Sequence, residues 1–134
     1  PVLLKREVNG YIVNRLQAAV LREAIDLVHT GVASAEDVDT AFRMGGGLRD
    51  PIIGPLLRIH LAAKGAEKFF EAYAASYGFR WESMAAWTAV PPEAARATVN
   101  GIHEMEIVHN KTPEEIGQWR DEMLVRILKA LKSP

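Results

Sequence analysis

The chain has 134 residues, 49% hydrophobic and 25% charged, with a formal net charge of −1. That is enough apolar material for one domain with a core, and it gives no electrostatic reason to expect a nucleic acid or a membrane surface as partner. The absence of cysteine excludes a disulfide scaffold and a thiol nucleophile and is compatible with a cytoplasmic setting.

No apolar run reaches the roughly 18 residues that mark a transmembrane helix, and no signal-peptide pattern opens the chain. The first residue is Pro1 rather than Met, which points to a processed chain or a piece of a longer one. Residues 1–8, PVLLKREV, have no partner segment for their strand-like Val2, Leu3 and Leu4, and read as a linker.

From Gly10 to His29 the apolar residues recur at helical spacing. Val13, Leu16, Val20, Leu21, Ala24, Leu27 and Val28 fall on one broad side, with Arg15, Arg22, Asp26 and His29 opposite. Gly31 is a natural stop. Asn14 and Gln17 interrupt this helix's apolar side. On spacing alone, each reads as a structural amide with a local buried hydrogen bond.

Ser34 and Asp37 have capping-box spacing at the head of a second helix, which Gly45–Gly47 end. Pro51 and Pro55 make LRDPIIGP a loop, and Pro55 suits the first turn of a third helix. That helix is expected to run to Gly78, with Gly65 as a potential division. FRWESMAAWTAV has no clear pattern. A fourth helix follows Pro92 and continues to His109, weakened at Asn100-Gly101. The fifth carries Thr112 as cap, Pro113 at its first position and Glu115 to close the box, with Ile116, Trp119, Met123, Ile127 and Leu131 as its stripe. The expectation is an all-α domain of about five helices spanning 9–134.

Read bare, the residues complete no active site. His103 and His109 are six apart, whereas two histidines chelating one ion from a helix want a spacing near four, so no metal is expected. MGGGLR lacks both the Lys-Ser/Thr of a phosphate loop and the G-x-G-x-x-G of a dinucleotide turn. It does allow close backbone approach, with Arg49 placed to fork onto a carboxylate. A helix-turn-helix over 20–44 would present an acidic second helix to phosphates, so no DNA contact is expected.

The ordered motifs resemble a known family. Residues 10–47, GYIVNRLQAAVLREAIDLVHTGVASAEDVDTAFRMGGG, followed by LRDPIIGP, look like the C-terminal domain of the 3-hydroxyacyl-CoA dehydrogenase family. That domain opens Gly-aromatic-x-x-Asn-Arg and continues through Glu-Ala, Gly-x-(Ala/Val)-(Ser/Thr)-x-x-Asp-(Ile/Val)-Asp, a glycine-rich turn and Gly-Pro. GGGLR and the tail WRDEMLVRILKAL are most similar to the branch holding lambda-crystallin, gulonate dehydrogenase and carnitine dehydrogenase.

The resemblance implies a fold like the C-terminal domain of 6-phosphogluconate dehydrogenase, a homodimer, and an N-terminal Rossmann domain, absent from this chain, that carries NAD. No cofactor is expected on the chain itself. It implies that Asn14 is the family's active-site asparagine, near a catalytic His and the substrate oxygen. It implies too that Arg49, with Gly46 and Gly47 bordering the pocket, holds a small-molecule 3-hydroxy acid or acyl-CoA, in fatty acid or related metabolism.

The family's catalytic His and Glu belong upstream, and nothing here matches them. Asp50-Pro51 replaces a short aromatic or apolar segment common in relatives, which leaves the pocket shape open. The other class of reading is a stand-alone helical dimerisation or binding module without chemistry.

Overall fold

A computed structural model describes residues 2–132. Pro1, Ser133 and Pro134, the outermost residues of the expected linker and helical domain, lie outside it. Every regular element among the described residues is a helix: α1 Val13–His29, α2 Ala35–Met44, α3 Pro55–Ala62, α4 Ala66–Ser83, α5 Pro92–Glu104, α6 Glu106–Asn110 and α7 Pro113–Lys132. The all-α class is as expected. The described helices number seven rather than five because the expected third and fourth are each broken once.

Local chemistry sets most of the ends. α1 begins three residues later than expected, because Gly10 at φ 78° and Tyr11 at φ 50° are left-handed and make the approach a tight turn. It stops in a Schellman motif. Gly31 sits at φ 74°, its N–H donates to the Val28 carbonyl at 3.1 Å, and the Val32 N–H donates to that of Leu27 at 2.9 Å. At the head of α2 the Ser34 hydroxyl oxygen accepts from the Asp37 N–H at 3.1 Å, while its O–H donates to the Asp37 carboxylate at 2.7 Å. The Thr112–Glu115 box at α7 is reciprocal. The Glu115 N–H donates to Thr112 Oγ1 at 3.2 Å, and the Thr112 N–H donates to Glu115 Oε2 at 2.7 Å.

The potential division at Gly65 is realised, since Lys64 at φ 56° and Gly65 at φ 149° leave the helical region. Two expectations are corrected. Gly78 does not end α4, which runs on to Ser83. Side chains bridge that glycine: Arg80 donates to Ser76 Oγ at 3.0 Å, its guanidinium lies 4.3 Å over the Tyr77 ring, and Tyr77 meets Trp81 at 5.8 Å. The fourth expected helix breaks at Met105, extended at ψ 135°, rather than at Asn100-Gly101.

Gly101 stays helical because it is a packing point. A Cβ there would lie 3.0 Å from that of Ala35 and 3.5 Å from Val28 Cγ1. α1, α2 and α5 pack on one another around this crossing, and α6 follows against α5. α3 and α4 pack together beside a cluster in which Phe69 meets Phe70, Tyr73 and Tyr77 at 5.6, 5.2 and 5.5 Å. The loop from α4 to α5 is held to α1: the Ala85 N–H donates to Glu23 Oε2 at 3.0 Å and Arg22 Nη1 donates to the Trp87 carbonyl at 3.3 Å. α7 makes no substantial contact with the other described helices.

Among the described residues the buried apolar side chains are Ala35, Phe69 and Ala94. The chain exposes 11057 Å², whereas a compact monomer of this mass shows roughly 7,000 Å². The surplus is apolar helix face, including Val13, Leu16 and Leu21 of α1 and Leu124, Val125 and Leu128 of α7. No described helix is long and apolar enough to cross a membrane.

Candidate functional site

Two groups of residues stand out, one at the entry to α1 and one in the turn after α2. The first is the entry to α1. The Tyr11 N–H donates to the Val8 carbonyl at 3.0 Å, closing the turn that precedes the helix. Asn14 therefore falls in the first helical turn, where it faces an open groove of ≈ 490 Å³ lined by Asn9, Gly10, Asn14, Arg15, Ala18 and Arg22, among others. Ala18 and Ala19 keep the groove floor low, and Arg15 Nη1 reaches back to the Asn9 carbonyl at 3.4 Å. The Asn14 side chain is exposed and has no hydrogen-bond partner among the described residues. It offers one acceptor and two donors without titrating.

Gln17 is likewise exposed and without a partner among the described residues. The local buried hydrogen bond expected of it is therefore not formed among these residues.

The second group is the glycine turn after α2. The Gly45 N–H donates to the Ala41 carbonyl and that of Gly47 to the Phe42 carbonyl, both at 2.9 Å. A Cβ at Gly45 would meet the Ala41 oxygen at 2.6 Å, and one at Gly47 the Phe42 oxygen at 2.8 Å. Both positions require glycine because the chain folds directly onto the end of α2. Gly47 thus uses its N–H internally and borders the turn only by its missing side chain.

Arg49 sits at the crest of the turn. Its carbonyl accepts the N–H groups of Ile52 and Ile53, each at 2.9 Å. Its guanidinium is exposed and unpaired among the described residues, as a group that meets an anion from outside would be.

Two side chains that sequence reasoning did not assign complete this turn. Arg58 of α3 forms an ion pair with Asp50, and Gly46 stands so close to Arg58 Nη1 that a Cβ there would approach it to 2.9 Å. A signal was present: Arg58 breaks the apolar run of LLRIHL. Its partner lies across a loop, where no helical spacing links them.

The α1 groove includes none of Arg49, Gly46 and Gly47. Among the described residues no group of three or more His, Cys, Asp or Glu gathers to hold a metal ion, and His103 and His109 stand on separate helices. A clearly perturbed acid lies away from both groups. Glu115 is held below the ordinary value of 4.5, first by the Thr112 backbone N–H and then by its hydroxyl and by Lys111, against desolvation.

These features define a helical domain that displays an amide and a guanidinium without partners among the described residues. The chain belongs to the family of 3-hydroxyacyl-CoA dehydrogenase C-terminal domains, whose model matches residues 10–105. It is 38% identical over 138 residues to the lambda-crystallin homolog of Homo sapiens, covering 99% of this chain and 41% of that protein. An L-carnitine dehydrogenase from Bacillus cereus is 32% identical over 134 residues, covering 98% and 40%. Lambda-crystallin of Oryctolagus cuniculus is 34% identical over 133 residues, covering 96% and 40%. The chain thus spans about two fifths of the length of these relatives.

Proposed function

We propose that this chain is the cleft-completing, dimer-forming domain of an NAD-dependent dehydrogenase that acts on the secondary hydroxyl of a 3-hydroxy acid or 3-hydroxyacyl-CoA. The observation that carries the reading is the unpartnered Asn14 amide, set in a groove at the head of α1 inside the family match. An N-terminal Rossmann domain of the same polypeptide holds the cofactor, and the whole works in the cytoplasm. One relative is an L-carnitine dehydrogenase, and L-carnitine, itself a 3-hydroxy acid, is a reasonable first substrate to try.

Bound by the preceding domain, the nicotinamide would supply the acceptor for a hydride from the carbinol carbon, and a base on that domain would take the hydroxyl proton, so that a ketone would be left. This chain's part is to orient and to bind. Asn14 donates a hydrogen bond to the reacting oxygen or holds the base in line with it, and stays neutral throughout. Arg49 fixes the far carboxylate or thioester end of the substrate with its planar fork, so that the carbinol carbon stays in register.

The open surface supports the assembly. The excess of roughly 4,000 Å² over a compact monomer is what an obligate dimer contact together with a domain contact would cover.

The test uses the full-length protein. Asn14→Ala should lower kcat by roughly a hundredfold or more with unchanged circular dichroism. Arg49→Lys should raise the KM for L-carnitine or 3-hydroxybutyrate about tenfold without altering NADH affinity. Wild-type turnover in Asn14→Ala would refute the catalytic assignment.

A further inference from the structure

We propose that Arg58 is a positioning residue, a brace from α3 that holds the glycine turn so that Arg49 is aimed at the substrate. The inference rests on the reading of Arg49 as the substrate-binding arginine.

The main-chain bonds of the turn tie it to the end of α2 and, through the Arg49 carbonyl, to Ile52 and Ile53, but none joins it to a residue of α3 itself. Asp50 N–H donates to the Gly47 carbonyl at 3.2 Å and Arg49 N–H to that of Gly46 at 3.1 Å, while Gly45 and Gly47 tie to Ala41 and Phe42. The side-chain link to α3 is the Arg58–Asp50 pair. Arg58 is placed by the first turn of α3, its N–H donating to the Gly54 carbonyl at 3.1 Å. One end of its guanidinium meets the Asp50 carboxylate and the other lies against Gly46. It therefore touches the turn on both sides of Arg49. Its Nε is buried without a partner, so the guanidinium is seated under the turn rather than reaching from it into solvent.

Charge separates the roles of the two arginines. The Arg58 charge is matched by Asp50, and its side chain is 31% exposed. Arg49 is exposed and unmatched among the described residues. Of the two, Arg49 alone offers an anion a full positive charge, and Arg58 acts through it.

Gly46 gives the inference a probe that leaves charge alone. A methyl there would displace the Arg58 guanidinium, the mobile end of a long side chain, without striking backbone. Gly46→Ala should therefore mimic the loss of the brace.

The experiment is hydrogen–deuterium exchange with mass spectrometry on the full-length protein, alongside steady-state kinetics with L-carnitine and 3-hydroxybutyrate. Asp50→Asn, Arg58→Met and Gly46→Ala should each speed exchange in 45–53 roughly two- to fivefold, the range set by a part-exposed ion pair. Exchange in α1 and α5 should not change. KM should rise by a similar factor, with kcat and NADH affinity unchanged. Asp50→Arg combined with Arg58→Asp should restore both readouts in part, which a purely local packing role for Arg58 would not produce.

Unchanged exchange in 45–53 for Asp50→Asn and Arg58→Met overturns the brace. Faster exchange with an unchanged KM keeps the brace and overturns Arg49 as the substrate-binding group, so the two failures are told apart.

Discussion

Adding one methyl group at Gly101 tests the three-helix packing directly. In an open helix, Gly→Ala stabilises by about 0.8–1.0 kcal/mol. At Gly101 the new carbon would stand 3.0 Å from Ala35 Cβ, well inside the roughly 3.5–4.0 Å at which two carbons attract. Ala35 Cβ cannot rotate away, and the residue is buried at the first position of a helix capped by Ser34. α2 and α5 must then part by several tenths of an ångström, an overpacking cost of typically 1–3 kcal/mol. The net is a loss of about 1 kcal/mol.

Gly78 and Gly117 supply the contrast, because a Cβ at either meets nothing within 4 Å. Their alanine variants should gain close to the full propensity term. The assay is the urea midpoint of each variant at one protein concentration. Moving the methyl across, with Ala35→Gly added to Gly101→Ala, should recover part of the loss. If Gly101→Ala stabilises as much as Gly117→Ala, the α2–α5 contact does not exist as described.

Thr112→Ala should cost α7 about 1 kcal/mol, the usual worth of a cap, measured by chemical denaturation. Because the folded-state pKa of Glu115 is lowered, the stability it contributes is present above the ordinary glutamate range and is lost as pH falls through the folded value. The acid-side pH dependence of α7 fraying, below the ordinary glutamate range, should therefore flatten in Glu115→Gln, read by circular dichroism. The exposed apolar faces of α1 and α7 should drive self-association. Sedimentation at micromolar concentration should show a dimer, and a monomer would refute the assembly.

Much of this fold was legible because the helix ends are local chemistry. Ser34, Pro55, Thr112 and Pro113 mark starts that the structure keeps. Gly31 marks a stop for the reason given by its left-handed φ. The misread positions depend on distant neighbours. Nothing in EME announces the break at Met105, and Gly78 looks like a stop until Ser76, Tyr77, Arg80 and Trp81 are seen to span it.

The candidate site divides in the same way. Arg49 after its glycines invited attention from composition, whereas Asn14 rose above the structural-amide reading through the ordered motifs around it. Arg58 was missed because its meaning lies in Asp50 and Gly46, which only the folded turn sets beside it.

The tether between α1 and the α4–α5 loop has a consequence for how the sequence can change. Arg22 and Glu23 grip the loop by the Trp87 carbonyl and the Ala85 N–H, groups that nearly every amino acid supplies. Recognition of main chain is indifferent to the letters of the segment recognised. Substitutions at the exposed Ala86 can therefore accumulate without unfastening the loop, whereas the half-buried Trp87 also seats its indole and a single change at Arg22 or Glu23 releases half of the tether. Mutational tolerance at this junction is lopsided, and a saturation library should find it concentrated on the held side.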